Sequence, residues 1–165
     1  MLSWSLVSAE FAWEGSWRDI CVLDTDTADW MAAVHAILRS GIQATFSIDG
    51  EQAPLPGDMQ QVFSIRDRAT VCLSLFTSNG VQLNCHFFGQ NEIEFDLDPR
   101  EITNQETLDD VVALMALLAS ATSRPALMTP ENTHNRPFIR VEPSGTAQYI
   151  SSGGFFQDLV HSHRS

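Results

Sequence analysis

The chain has 165 residues, 44% of them hydrophobic and 18% charged, and its 21 acidic residues against nine basic ones give a formal net charge of −12. All nine basic residues are arginines, so catalysis through a Schiff-base lysine or a P-loop lysine is excluded. The negative charge also argues against nucleic acid and anionic membranes as partners and favours a basic protein.

Length and composition predict a single domain over 1–150, followed by a flexible, Ser-, Gly- and His-rich tail over 151–165. The first residues lack the basic start and the apolar run of an export signal, so we expect a cytoplasmic protein. The three cysteines, Cys21, Cys72 and Cys85, have no metal-binding spacing, and we expect them to be free thiols. The sequence does not indicate an oligomeric state.

The first predicted elements are a hairpin and a helix. Two apolar runs, 2–13 and 17–23, flank Gly15 and predict an opening β-hairpin. The polar stretch 24–27 ends the second run and offers caps for a helix that ends near Gly41. The core stripe of this helix is predicted to consist of Trp30, Met31, Val34, Ile37 and Leu38.

The middle of the chain predicts strands joined by turns. Residues 42–48 alternate between apolar and polar, as in a half-buried strand, and the proline-containing stretch 51–58 predicts a surface loop. The pair Asn79–Gly80 between two apolar runs is typical of a two-residue type I′ hairpin turn. Counting outwards from this turn predicts that Phe76 faces Leu83 and Ser74 faces Cys85, with apolar groups on both faces.

The segment 92–98 alternates strictly between acidic and apolar residues, which places Ile93, Phe95 and Leu97 in the core and the carboxylates outside. One interpretation is a solvated outer face, or one paired with Arg66, Arg68 or Arg100. The other is an anionic strip that binds a basic surface. The carboxylates that we assign to a partner-binding surface are Glu92, Glu94, Asp96, Asp98, Asp49, Glu51 and Asp58.

The last elements are a second helix and a closing hairpin. The segment 103–106 predicts a capping box, and the helix that follows is predicted to run until Arg124–Pro125. Segments 137–142 and 147–150 predict the hairpin. The expected fold class is therefore α+β: a mostly antiparallel sheet with two amphipathic helices packed on one face.

The residues offer no complete catalytic set. Apolar residues followed by Asp24-Thr25-Asp26-Thr27 resemble motif I of haloacid-dehalogenase-type phosphotransferases, which implies a magnesium-dependent enzyme with Asp24 as nucleophile and Asp26 as acid/base. Helix capping accounts for the same residues, and that family also uses a phosphate-binding cation, usually lysine, and a parallel sheet. His161 and His163 are two metal-ligand types without a third. We therefore predict no enzyme, no cofactor and no metal site.

A third interpretation is a module that binds a small molecule in a pocket lined by tryptophans. Aromatic residues at these spacings are more typical of a core. The tryptophans concerned are Trp4, Trp13, Trp17 and Trp30.

Several segments together resemble a family of small bacterial immunity proteins from polymorphic-toxin and contact-dependent competition systems. The segments are 14–20, Asp29–Trp30, 84–88, 92–101 and 129–132. The resemblance implies a cytoplasmic, non-catalytic protein that binds and blocks a cognate toxin domain. Such toxins present basic active-site clefts to nucleic acid or nucleotides, and an anionic protein can occupy such a cleft as a phosphate mimic.

Overall fold

A computed structural model describes residues 1–151. It contains four helices and nine strands. The strands are β1 Arg18–Leu23, β2 Gln43–Ile48, β3 Glu51–Gln52, β4 Val71–Phe76, β5 Gln82–Cys85, β6 Glu92–Leu97, β7 Ala126–Pro130, β8 Ile139–Val141 and β9 Ala147–Tyr149. They form one antiparallel sheet in the order β3-β2-β4-β5-β6-β1-β7-β8-β9, which confirms the predicted α+β class with a mostly antiparallel sheet. The predicted tail lies outside the described residues, apart from Ser151.

The helices are α1 Trp4–Val7, α2 Thr27–Arg39, α3 Met59–Arg66 and α4 Gln105–Thr122. The two predicted helices correspond to α2 and α4, so the structure has two more than expected. Helix α4 contacts β1, β7 and β8, α2 packs on α4, and α3 contacts α2 and β4. None of these helices is both long and apolar enough to cross a membrane.

The predicted opening hairpin is wrong. Its first half forms α1 and a 3₁₀ turn, Ser8–Phe11, and only its second half is a strand. Val7 and Phe11 are buried while Leu6 is exposed, a spacing of four that belongs to a helical segment. Arg18 holds this segment in place, because its buried guanidinium donates hydrogen bonds to the carbonyl oxygens of Glu10, Ala12, Ser16 and Trp17.

The β4–β5 hairpin is present, but its predicted register is wrong by one residue. Leu75 pairs with Leu83 and Ser74 with Asn84. Only Gly80 has a positive φ in this turn, +85°, and the hydrogen bond from Thr77 N to Val81 O leaves three residues in the loop rather than two. The extra loop residue shifts the pairing, which puts apolar side chains on one face and polar ones on the other.

The register of the whole sheet separates an apolar face from a polar face. Buried residues of the apolar face, such as Ile20, Leu83 and Phe95, belong to one core cluster with Trp30 of α2 and Met115 of α4. We call the opposite side the polar face. It carries Asp19, Cys21, Asn84, Glu92, Glu94 and Asp96.

The helix ends show how the sequence sets these elements. Asp26 caps α2 and forms a capping box with Asp29. Helix α4 has a capping box as well, but between Asn104 and Thr107, one residue later than predicted. Helix α3 was missed because its buried residues, Met59, Val62 and Phe63, span little more than one helical turn.

Candidate functional site

Four carboxylates converge at the centre of the polar face, where β6 pairs with β1. Asp19 lies opposite Asp96, and Glu94 lies opposite Cys21, with Glu92 one step further along β6. We call Asp19, Glu92, Glu94 and Asp96 the acidic cluster. Like charges on directly paired strand positions repel each other, so this arrangement costs stability unless a cation compensates for it.

The loop that follows β7 places a histidine over the acidic cluster. The backbone N–H of Asn132 donates a hydrogen bond of 2.8 Å to Asp19 Oδ2. His134 then lies with Nδ1 2.8 Å from Glu92 Oε1 and Nε2 3.5 Å from Glu94 Oε2, while Asp19 Oδ2 is 3.9 Å from Nε2. Asp19 therefore positions the loop, and the loop positions His134.

A second histidine contacts the other end of the acidic cluster. His86, just after β5, has Nε2 3.2 Å from Asp96 Oδ2. Asn84 donates a hydrogen bond of 3.2 Å to the other oxygen of Asp96 and accepts one of 2.9 Å from Ser74. The contact with Asp96 raises the pKa of His86, since the negative carboxylate stabilises the imidazolium. Asn84 and His86 thus both hold Asp96, and Ser74 of β4 in turn holds Asn84.

Burial makes these carboxylates unusual. The side chain of Asp19 is 3% exposed, and those of Glu92, Glu94 and Asp96 are 26%, 18% and 24% exposed. Loss of hydration raises the pKa of Glu94 to about 7, and the negative charge of Asp19 adds to the effect. Burial also raises the pKa of Asp19, against the hydrogen bond from Asn132. Groups with shifted pKa values in a partly open site are typical of functional sites.

The cysteines are all free, as expected. Cys21 and Cys85 are buried, and Cys72 is half-buried. Cys21 is directly beside the acidic cluster, where burial and then the negative charges of Glu92 and Glu94 raise its pKa to about 12. Its thiol is therefore protonated at neutral pH unless a cation binds it.

The structure brings together only part of the surface predicted from the sequence. Glu92, Glu94 and Asp96 share the polar face with Asp19, which the sequence analysis did not assign. Asp98 follows β6 and pairs with Arg100 at 2.8 Å, which lowers the pKa of Asp98. Of the two interpretations of the carboxylates in 92–98, the geometry of Asp98 fits pairing with an arginine.

The other three predicted residues lie near the edge of the sheet formed by β3. Asp49 is in the β2–β3 turn and accepts a hydrogen bond of 2.9 Å from Thr70 N, Glu51 is exposed in β3, and Asp58 caps α3. Since β3 and β6 are separated by β2, β4 and β5, about 19 Å lies between their axes. Asp49 and Asp58 have local structural roles, and the three do not join the acidic cluster.

Aromatic side chains border the acidic cluster. Phe88 is 58% exposed and stacks on His86, with ring centroids 5.3 Å apart. Trp17, His86, Asp96 and Glu131 line one side of a shallow depression of about 440 Å³. A larger depression, of about 570 Å³, lies between α4 and the turns after α2 and β4, away from these groups. Exposed aromatics beside charged groups are typical of protein-binding surfaces.

The geometry gives little support to the two alternative sites. Strand β1, which precedes Asp24, is antiparallel to both of its neighbours, and Asp26 is engaged in capping α2. The tryptophans do not share a pocket: Trp30 packs in the core against Phe87, and Trp13 lies under Arg100 at the surface.

Comparison of this chain with models of protein families, with curated proteins and with solved structures found no match. Four of the five segments singled out in the sequence lie next to one another in the sheet. Segments 14–20, 84–88, 92–101 and 129–132 surround the acidic cluster, since they contribute β1, the ends of β5 and β7, and β6.

Proposed function

We propose that this protein is a non-catalytic, cytoplasmic immunity protein that neutralises a cognate toxin domain. The polar face is the binding surface, and it enters the basic active-site cleft of the toxin. The observation that carries the proposal is the acidic cluster itself, a group of buried and partly buried carboxylates that no arginine within residues 1–151 pairs with. The net charge of −12 extends the same negative potential over the molecule.

Basic groups within residues 1–151 offset only part of the negative charge of the acidic cluster. Among residues 1–151, the basic groups within ion-pair distance of it are His86 and His134, and no arginine is. Asp96 raises the pKa of His86, so this histidine offsets part of the negative charge, while four carboxylates face only two imidazoles. A basic partner supplies the missing positive charge, and the partial burial of the carboxylates makes each such pair stronger than one in open water.

Phe88 and Trp17 supply the apolar part of the contact. An exposed aromatic ring at the border of a charged patch loses water on binding and often contributes a large share of the affinity. Because Phe88 stacks on His86, it is already ordered before binding, which reduces the entropy cost.

The test is co-expression with the product of the neighbouring gene, followed by affinity measurement on the purified pair. We expect growth rescue and a stable one-to-one complex. Phe88→Ala should weaken binding about tenfold or more, because it removes the aromatic contact. Leu38→Ala is the matched control, since Leu38 is 50% exposed on α2 and belongs to no part of the polar face.

Two results would contradict the proposal. One is a neighbouring gene product that neither harms growth nor binds. The other is a complex that Phe88→Ala and Leu38→Ala weaken equally. Magnesium-dependent hydrolysis of phosphate esters that is lost in Asp24→Asn would instead support the phosphotransferase alternative.

A further inference from the structure

Two buried polar atoms in and beside the acidic cluster have no hydrogen-bond partner. Among residues 1–151, the buried side-chain nitrogen and oxygen atoms without a hydrogen-bond partner are Glu92 Oε1 and His134 Nε2. Buried polar atoms in folded proteins are nearly always paired, since an unpaired one forfeits its bond to water. That both exceptions lie in one cluster indicates that a ligand belongs there.

His134 Nε2 makes no hydrogen bond to the carboxylates around it, and its distances from them suit a shared ion. Glu94 Oε2 lies 3.5 Å from this nitrogen and Asp19 Oδ2 lies 3.9 Å from it. Atoms that bind one zinc ion at about 2.0–2.2 Å in a tetrahedron lie about 3.3–3.6 Å from each other. The Glu94 distance is already in this range, and the Asp19 distance exceeds it by about half an ångström or less. The ligand atoms of Asp19, Glu94 and His134 all fall within 4.8 Å of one another.

Glu92 completes an arrangement that is common around metal-binding histidines. Its Oε1 lies 2.8 Å from His134 Nδ1, the nitrogen on the opposite side of the ring, although the two atoms are not aligned for a hydrogen bond. A carboxylate at this position fixes the ring orientation and makes the other nitrogen a better ligand. A small rotation of the imidazole satisfies both unpartnered atoms, one through Glu92 and the other through a metal.

We propose that Asp19, Glu94 and His134 form a binding site for a first-row divalent metal ion, most favourably zinc, with Glu92 orienting the histidine. One nitrogen and two carboxylate oxygens suit zinc better than calcium or magnesium, which prefer oxygen ligands alone. Three protein ligands leave one tetrahedral position for water. This site departs from the sequence analysis, which predicted no metal. It does not depend on the proposed function, since a bound ion would itself supply part of the positive charge that the proposed function assigns to a partner.

A second set of groups competes for the same imidazole. The ligand atoms of Cys21, Glu92 and His134 also lie within 4.8 Å of one another. We assign the metal to the Asp19 side, because the unpartnered nitrogen of His134 is Nε2, which faces Asp19 and Glu94. Cobalt distinguishes the two sets, since a bound thiolate adds an intense charge-transfer band that carboxylate and imidazole ligands do not.

The experiment titrates zinc chloride into the full chain after treatment with chelator, by calorimetry. We expect about one zinc per chain, with binding at least tenfold weaker in Glu94→Gln and in His134→Ala. His35→Ala should bind as the wild type does, because His35 is exposed on α2. The double variant His161→Ala/His163→Ala should also keep the site, since the proposal places all of its ligands within residues 1–151. Thermal melts in chelator show that each variant folds.

Three results would overturn the proposal. The first is the absence of saturable zinc binding. The second is unchanged affinity in both Glu94→Gln and His134→Ala, or loss of binding only when the tail histidines are replaced. The third is a thiolate band in the cobalt form that disappears in Cys21→Ser, which would assign the metal to the other set. A thiolate-free cobalt spectrum, combined with the loss in Glu94→Gln, supports the site.

Discussion

Glu94 shows how one side chain links stability to binding. It is 18% exposed and lies among other carboxylates, and burial raises its pKa to about 7. The folded state therefore binds the proton more tightly than the unfolded chain, in which the pKa of a glutamate is near its ordinary value. The charged form of Glu94 therefore lowers the stability of the folded protein, and a bound cation would restore it.

The pH dependence of stability tests this directly. Because the pKa of Glu94 is higher in the folded state, the free energy of unfolding should fall as pH rises from about 4.5 to about 7. Glu94→Gln removes this loss and should stabilise the protein by about 1–3 kcal/mol at pH 8, with little effect near pH 4.5. Urea unfolding in chelator at both pH values measures the difference.

The control for this experiment is Glu51→Gln. Glu51 is an exposed carboxylate in β3 and should change the free energy of unfolding equally, by little, at both pH values. If Glu94→Gln behaves in the same way as Glu51→Gln, the pKa of Glu94 is not raised in the folded protein.

The hairpin between β4 and β5 shows how one extra loop residue determines which side chains lie opposite each other on two strands. Gly80 has a φ of +85°, a conformation that costs a residue with a side chain about 1–2 kcal/mol. The three-residue loop that it permits sets Asn84 opposite Ser74 of β4, whose hydroxyl donates a hydrogen bond to the asparagine. With the two-residue turn that the sequence suggests, Asn84 would lie opposite Leu75 and lose this partner.

Gly80→Ala should therefore destabilise the protein by about 1 kcal/mol or more, measured by thermal or urea unfolding. Gly57→Ala provides the matched control, because Gly57 has no positive φ and a methyl group there meets no atom within 4 Å. That variant should be neutral or slightly stabilising. Equal losses in the two variants would show that the backbone conformation of Gly80 is not the cause.

Elements with a long or strict pattern were predictable, and the short ones were not. The existence of α2, the extent of α4 and the alternation of β6 follow from periodicity, because each repeats over several turns or residues. The predicted core stripe of α2 is right for Trp30, Val34 and Ile37 but wrong for Leu38, which is 50% exposed. Helix α1 has four residues and α3 has eight, too few for a period to show. Strand β7 ends in a proline and is buried along most of its length, so it does not alternate.

The site was predictable only in part, for a related reason. The carboxylates of β6 stand out in the sequence, but their neighbours come from distant segments. Asp19 and Asn132 are hydrogen-bonded although 113 positions separate them, and His134 is one polar residue in a polar loop. One signal was present and missed: Asp19 is a charged residue at the start of an apolar run, which in a buried strand calls for a partner.

At the scale of the whole molecule, the net charge of −12 should govern how fast the proposed basic partner associates. We expect the association rate of the complex to fall more than tenfold between about 50 mM and about 500 mM salt, while dissociation changes little, because screening acts on the approach more than on the formed contact. Stopped-flow or surface-plasmon measurements separate the two rates. A salt-independent association rate would show that long-range attraction has no part in recognition.

The short strand at one edge of the sheet affects whether another chain can pair with the sheet there. Strand β3 has two residues, Glu51 and Gln52, and both are exposed. A foreign chain that paired with β3 would meet only two residues of backbone and an exposed carboxylate. Because β3 pairs only with Ser47 and Ile48 of β2, strand addition at this border has to begin at the first residues of β2 instead.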